Sequence, residues 1–307
     1  MSLELLHTIA EIRRSLAEAR RRGCTVGFVP TMGALHAAHG ALIERAREES
    51  DLVAVSVFVN PIQFDRGEDC EQYPRTLAAD VEFCAALAVD IVFAPDAGEM
   101  YPSPQLTFVE VASLSERLCG EFRPGHFRGV ATVVGKLFNI VHPDRAYFGE
   151  KDAQQLAVVR KMVADLDFPV AIVPVATVRE PDGLAMSSRN RRLDAEERRI
   201  APTLYQALQA AARRIASGAI RPEEIRSAAL AELQSQPAIR VEYLEVVDPE
   251  RMQPVERVVG PVCVAAAVWI GSTRLIDNIR CGPRGISSII EGWSPHASRH
   301  SESAHRR

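Results

Sequence analysis

Two rhythms of apolar and polar positions run along the chain. Leu3 to Arg22 carries apolar residues at helical spacing and is closed by Gly23, which predicts an amphipathic helix. Thr25 to Val29 reads as a short buried strand, with a helix over His39 to Glu49 behind it. Leu52 to Val59 is apolar on both faces, as an inner parallel strand should be. Thr76 caps a helix through Leu87, and Ile91 to Ala94, Leu106 to Val111, Ala146 to Phe148 and Ala171 to Thr177 are further strands. Helices over Phe127 to Val141 and Asp152 to Leu166 lie between the later ones. Strands alternating with helices predict an α/β unit, a parallel sheet covered on both faces.

Beyond Asn190 the rhythm changes. Asp194 to Ala216 and Pro222 to Leu233 are predicted helices, followed by strands over Val241 to Val247, Val262 to Ile270 and Arg274 to Arg280. Helices and then strands without crossovers predict a smaller α+β domain. The expected division is residues 1–190, 191–281 and a tail over 282–307, rich in Ser, His, Arg, Gly and Pro, that reads as disordered.

Candidate chemistry collects where strands end. After Val26–Val29 come Pro30, Thr31, Met32, Gly33, Ala34, Leu35, His36, Ala37, Ala38 and His39, a strand turning abruptly into a helix. The first amides of a helix lack internal partners and carry part of its dipole, so this turn is a natural phosphate site. His36 and His39 share one face, as surface residues, metal ligands or anion donors; no companion cysteine or carboxylate stands at a familiar zinc spacing. Gln63 follows the second inner strand, as a hydroxyl-reading or turn-stabilising amide. Glu68 to Arg75 is either a solvated acidic loop or an aid to magnesium binding through water. Arg123, His126 and Arg128 are surface charges or face an anion. Gly149, Glu150, Lys151 and Asp152 form another strand end, with Lys151 a point charge for phosphate, Asp152 a helix cap, and Gln154 and Gln155 in the next turn. The loop from Arg179 to Asn190, containing Met186, Ser187, Ser188 and Arg189, is too elaborate for a connector alone.

Composition narrows the classes. The 307 residues are 47% hydrophobic and 25% charged, with a formal net charge of -4, which fits a folded protein of about two domains and not a nonspecific nucleic-acid binder. The start of the chain lacks a secretory pattern, and the longest apolar run, Val262 to Ile270, is too short to span a membrane. Six cysteines without a CxxC spacing read as reduced thiols.

In combination and in order, Pro30 to His39, Phe58 to Phe64, Tyr73 to Arg75, Arg123 to Gly129, Phe148 to Asp152 with Gln154 and Gln155, and Asp182 to Asn190 resemble the pantoate:beta-alanine ligases of the nucleotidyltransferase superfamily. The resemblance spans about Leu3 to Cys281. It implies a Rossmann-like N-terminal domain with a smaller lid, a cytoplasmic homodimer acting on ATP, pantoate and beta-alanine, and a requirement for Mg2+. It implies no nucleic-acid or membrane partner. Pro30 to His39, Gly149 to Asp152, Val178 and Met186 to Arg189 would bind ATP; Gln63 and Gln155 would hold pantoate, with Gln63 also near beta-alanine. His39, His36, Lys151 and Arg189 would carry the chemistry. The sequence departs from the family pattern at Ala38, usually glycine, where a methyl would crowd the nucleotide, and at Ala153 and Arg192, usually aromatic. Two other readings stay open: an adenylyltransferase with another acceptor, and a nucleotide-binding paralogue weakened by Ala38.

Overall fold

The computed structural model describes residues 3–64, 71, 73–283 and 285–286. Its larger sheet holds strands β1 (Glu4–Leu6), β2 (Val26–Thr31), β3 (Leu52–Val57), β4 (Ile91–Phe93), β5 (Arg145–Gly149) and β6 (Ala171–Val175). They run parallel in the order β1-β4-β3-β2-β5-β6. From β2 the chain first builds outward through β3 to β4 and then returns to place β5 on the other flank. In such a sheet the crevice beyond the carboxyl ends of the strands at the reversal is where ligands bind. Here that crevice lies past Thr31 and Gly149.

Helices α1 (Ile9–Arg21), α2 (Ala37–Glu49), α3 (Leu77–Ala86), α4 (His126–Val141) and α5 (Ala153–Asp165) accompany this sheet. The side chains of β2 and β3 divide between two clusters: Phe28 and Ala54 pack into one, Val29, Val53 and Val55 into the other. Both faces are therefore covered, which explains the unbroken apolar runs.

A second, antiparallel sheet follows, with strands β7 (Ile239–Val247), β8 (Val262–Ile270), β9 (Thr273–Gly282) and the two-residue β10 (Gly285–Ile286) in the order β10-β9-β8-β7. Helices α6 (Ala195–Ile200), α7 (Thr203–Ala216) and α8 (Pro222–Gln234) precede it. Its central strand β8 is apolar throughout for a specific reason. Val262, Val264, Ala266 and Val268 pack among its own helices, whereas Cys263 and Ala265 face the core of the larger sheet. One strand thus joins two cores.

Several expectations need correction. Leu3 to Arg22 is a strand and a helix, not one helix: Glu4 pairs with Ile91, and Thr8 caps α1 by accepting from the Glu11 amide. The helical spacing of Leu3 to Leu6 is incidental to pairing with a distant strand. Leu106 to Val111 joins neither sheet; the Val109 amide donates to Thr132 Oγ1 on α4, and Arg128 stacks on Phe108 at 3.8 Å. Asp194 to Ala216 is two helices, α6 and α7, separated at Ala201 and Pro202. Asp152 makes no side-chain capping bond, nor does Thr76, whose hydroxyl donates to Asp80 instead. The proposed magnesium-assisting stretch falls largely on residues 65–70 and 72, and the tail beyond 286, outside the described residues. The five described cysteines are free thiols.

Candidate active site

The turn after β2 is built on backbone strain. Gly33 and Ala34 both take positive φ, 85° and 51°, which costs an alanine more than a glycine. What holds them is Asp80 on α3, which is 2% exposed. Its carboxylate accepts the Ala34 amide at 3.1 Å, the Leu35 amide at 2.8 Å and the Thr76 hydroxyl at 3.1 Å. The turn is thereby fixed before α2 begins; the His39 amide donates to the His36 carbonyl at 2.8 Å, which leaves the amides of Ala37 and Ala38 at the helix start.

His36 stands at the N-cap of α2, and its amide donates to His39 Nδ1 at 3.3 Å. Because Nδ1 accepts, the neutral His39 ring carries its proton on Nε2. The two rings lie 4.2 Å apart between centroids. Burial, then the neighbouring His36 and Lys151, pushes the His39 pKa down to about 3; burial, then Lys151 and Arg191, pushes His36 down to about 4. Both rings are neutral near pH 7 and act as hydrogen-bonding groups rather than cations. His36 Nδ1 is buried without a hydrogen-bond partner.

The end of β5 supplies the opposite wall. A short 3-10 turn, Glu150–Asp152, carries Lys151. Asn278 of β9 donates from Nδ2 to the Glu150 carbonyl at 2.8 Å and the Lys151 carbonyl at 2.9 Å, so the second sheet grips this turn directly. The Arg179–Asn190 loop closes the third side. Arg179 meets the buried Asp277 through two hydrogen bonds of 2.6 and 3.1 Å and stacks on Tyr205, and Arg198 ties Glu180 to Asp182.

These segments enclose a cavity of about 200 Å³. Among the expected residues, Pro30, Met32, His36, Ala38, His39, Gly149, Lys151, Asp152, Gln155, Met186, Ser187, Ser188 and Arg189 line it. Ala38 is one of the wall residues, so the position that departs from the family pattern borders this space. Thr31, Gly33, Ala34, Leu35, Ala37, Glu150 and Val178 do not line it; most of them shape the backbone behind the wall. Gln63 is 7% exposed and sits behind Met32, its Nε2 3.0 Å from Sδ. Its Oε1 accepts from Asn60 Nδ2 at 3.0 Å, while Tyr101 donates to Asn60 Oδ1 at 2.7 Å, which fixes the amide with Nε2 toward Met32; Gln63 itself lines neither this cavity nor the smaller one beside it. Gln154 is structural: it binds the carbonyls of Leu114 and Arg117 and the amide of Cys119. Arg128 is spent on Phe108, but Arg123 and His126 reach a second cavity of about 60 Å³ beside the first. Lys151, Asp152, Gln155 and Arg189 line both.

The family profile described as pantoate-beta-alanine ligase matches residues 4–280. The chain belongs to this family. The chain is therefore a ligase of the kind that joins pantoate to beta-alanine through a carbon–nitrogen bond at the expense of ATP. A pantothenate synthetase of Moorella thermoacetica is 50% identical over 277 residues, 90% of this chain and 98% of that one. The crystal structure of pantothenate synthetase from Thermus thermophilus superposes with a TM-score of 0.86 at 48% identity, covering 90% of this chain and 99% of that chain. A Francisella tularensis ligase, solved with a beta-gamma ATP compound and beta-alanine, gives 0.75 at 33% identity, covering 90% and 97%.

The parts that Asp80, Asn60, Tyr101 and Asn278 play around this candidate site were not legible in the sequence. Each acts through a partner far along the chain, and no local spacing announces it. The buried imidazoles have a consequence for stability. His126, like His36, is held down to about 4, by burial and then by Arg123. In the unfolded chain these rings titrate near ~6.5. The unfolded state therefore binds more protons than the folded one below that pH, and stability is lost as pH falls from about 6.5 to about 4. Urea midpoints measured across this range should decline, and the decline should be shallower in His126→Asn; equal slopes would refute the assignment.

Proposed function

We propose that the chain forms pantothenate in two steps within the larger cavity. The pantoate carboxylate oxygen attacks the α-phosphorus of ATP, pyrophosphate leaves, and pantoyl adenylate remains. The amine of beta-alanine, having shed a proton, then attacks the acyl carbon; AMP leaves with the electron pair of the broken carbon–oxygen bond, and the new amide loses the second proton. The observation that carries this reading is the convergence of the β2 turn, the β5 turn and the Met186–Arg189 loop on one space.

A carboxylate with a pKa near ~4 is already ionised at neutral pH, so the first step needs no general base. Its obstacle is repulsion between two anions. Lys151 and Arg189 supply positive charge, the α2 amides and the imidazole N–H groups supply oriented donors, and the Gln63 and Gln155 amides suit the hydroxyl groups of pantoate. Among the described residues no three His, Cys, Asp or Glu side chains converge as a metal cage. Magnesium that arrives on a triphosphate needs at most one or two protein carboxylates, and Asp152 in the wall offers one. Bound there, the ion would offset phosphate charge.

Residues 191–281 we take as the lid, with Met186–Arg189 as its latch, because Asn278 and Asp277 of β9 hold the two sides of the cleft together. A homodimer in the cytoplasm is the assembly that the family resemblance implies, and Leu106, 89% exposed, gives a partner apolar surface to cover.

Incubation with ATP, pantoate and beta-alanine should yield AMP, pyrophosphate and the amide. A nucleotide conjugate of some other acceptor, without AMP, would identify an adenylyltransferase. AMP from Ala38→Gly but none from the natural chain would identify a nucleotide-binding protein weakened by the methyl. In Arg189→Ala the latch reading expects weaker ATP binding and about tenfold faster leakage of adenylate to water; unchanged leakage and ATP affinity would remove it.

A further inference from the structure

One wall of the larger cavity is set by how closely α2 rests on α3. Gly40 is buried in the first turn of α2, and its amide donates to the His36 carbonyl at 3.1 Å, so the backbone there is regular helix. A β-carbon built on Gly40 would stand 3.3 Å from Phe83 Cζ and 3.6 Å from Leu87 Cδ1. Phe83 belongs to α3, and Leu87 caps its end. A glycine inside a helix is unfavourable relative to alanine, so local propensity does not account for this one. What it provides is close approach, because the separation of two packed helices follows the size of the side chains at their contact.

Ala38 borders the cavity and lies two residues before Gly40 on the same helix. At about 3.6 residues per turn, the two positions stand roughly 200° apart around the helix axis. Gly40 faces α3, so Ala38 faces nearly the opposite way. Movement of α2 toward α3 therefore withdraws Ala38 from the cavity, and a wedge at position 40 drives it in. The wedge is not absorbed by a retreat of α3. Asp80, one turn before Phe83 on the same helix face, accepts the Ala34 and Leu35 amides at 3.1 and 2.8 Å, which ties α3 to the turn from which α2 starts. A methyl carbon projects about 1.5 Å from its α-carbon, so a helix shift of that order decides whether position 38 takes up nucleotide space.

We propose that Gly40 is a positioning residue for the nucleotide wall: by letting α2 seat against Phe83, it draws Ala38 back far enough for the cavity to accept ATP with the methyl in place. This inference rests on the ligase reading above for the identity of the nucleotide. Gly40 touches no substrate and acts through Ala38. The departure from the family pattern at position 38 is thus matched from the opposite face of the same helix turn, and the two positions behave as one unit of packing.

ATP dissociation constants, measured by calorimetry without pantoate or beta-alanine, test this in a double-mutant cycle. Gly40→Leu should raise the constant about 10- to 100-fold, the scale of overpacking a close helix contact. The same substitution in the Ala38→Gly background should raise it no more than about threefold, because no methyl is there to be driven in. Phe83→Ala added to Gly40→Leu gives the leucine the room of the ring, and should return binding to within about threefold of the natural chain. Gly40→Ala, a milder wedge, should shift the constant about threefold in the same direction, and replaces Gly40→Leu in the cycle if the latter does not fold. Ala38→Gly alone should bind ATP within about twofold of the natural chain. A glycine with a merely structural role would weaken binding by the same factor with and without the Ala38 methyl, and that result would overturn the proposal. So would ATP binding that appears only in Ala38→Gly. Failure of the natural chain to release AMP, with the coupling between positions 38 and 40 intact, would instead sink the ligase reading.

Discussion

His39→Ala should slow adenylate formation by about 100- to 1000-fold while leaving ATP affinity much closer to that of the natural chain. His39 Nδ1 is occupied by the His36 amide, so the one polar contact the ring has left to make is through Nε2–H. A donor aimed at charge that develops on phosphate oxygens is worth more in the transition state than in the ground state, and removing one costs roughly 3–4 kcal/mol. Its pKa of about 3 also decides between roles. A general acid should carry a dissociable proton near the working pH, whereas this ring is already neutral and donates an N–H that it never gives up. Single-turnover rates should therefore show no ionisation near pH 6.5 attributable to His39. A titration there that disappears in His39→Ala would reverse the assignment. A loss of less than fivefold would remove the residue from the chemistry.

Asp80→Ala should produce the largest loss of stability of any polar substitution near the site, about 2–5 kcal/mol. The carboxylate is buried at 2% exposure, and it satisfies two backbone amides and a hydroxyl. Deleting it strands the amides of Ala34 and Leu35 away from water, each at a cost of about 1–3 kcal/mol. It also releases Ala34 from a left-handed conformation that an alanine does not choose unaided. The shift in urea midpoint gives the stability term. Activity should fall further than the unfolded fraction explains, because His36 and His39 are placed by this turn. Asp80→Asn can accept one amide but turns an NH2 toward the other donors, so it should recover only part of the loss. If Asp80→Ala unfolds within 0.5 kcal/mol of the natural chain, by the usual scale of surface substitutions, the turn is held by something else.

The parts of the site that the sequence revealed are those in which chemistry and local geometry coincide. His36 and His39 sit at helical spacing after a strand, and Gly149 to Asp152 repeat the same strand-to-helix change. The errors were of one kind. Leu3 to Leu6 was folded into a helix because its spacing fits one, and only Ile91 to Phe93, far along the chain, makes it a strand. Leu106 to Val111 alternates as a strand does, yet Thr132 on α4 takes its backbone donor instead. Asp152 has the composition of a cap and does not act as one, standing in the wall of both cavities.

From its residues alone the chain determines an α/β unit followed by helices and antiparallel strands, with candidate ligand-binding turns at strand ends, because periodicity and helix-start amides are local properties. What needed the folded molecule was everything carried by contact between distant segments. Asp80 reaches the β2 turn, Asn278 grips the Lys151 turn, and His126 joins Arg123 to Gln63. Hydrogen bonds act over about 3 Å and carry no record of the chain length between their partners. The tautomers and depressed pKa values follow from the same enclosure, since burial is a property of the assembled core and not of any one stretch.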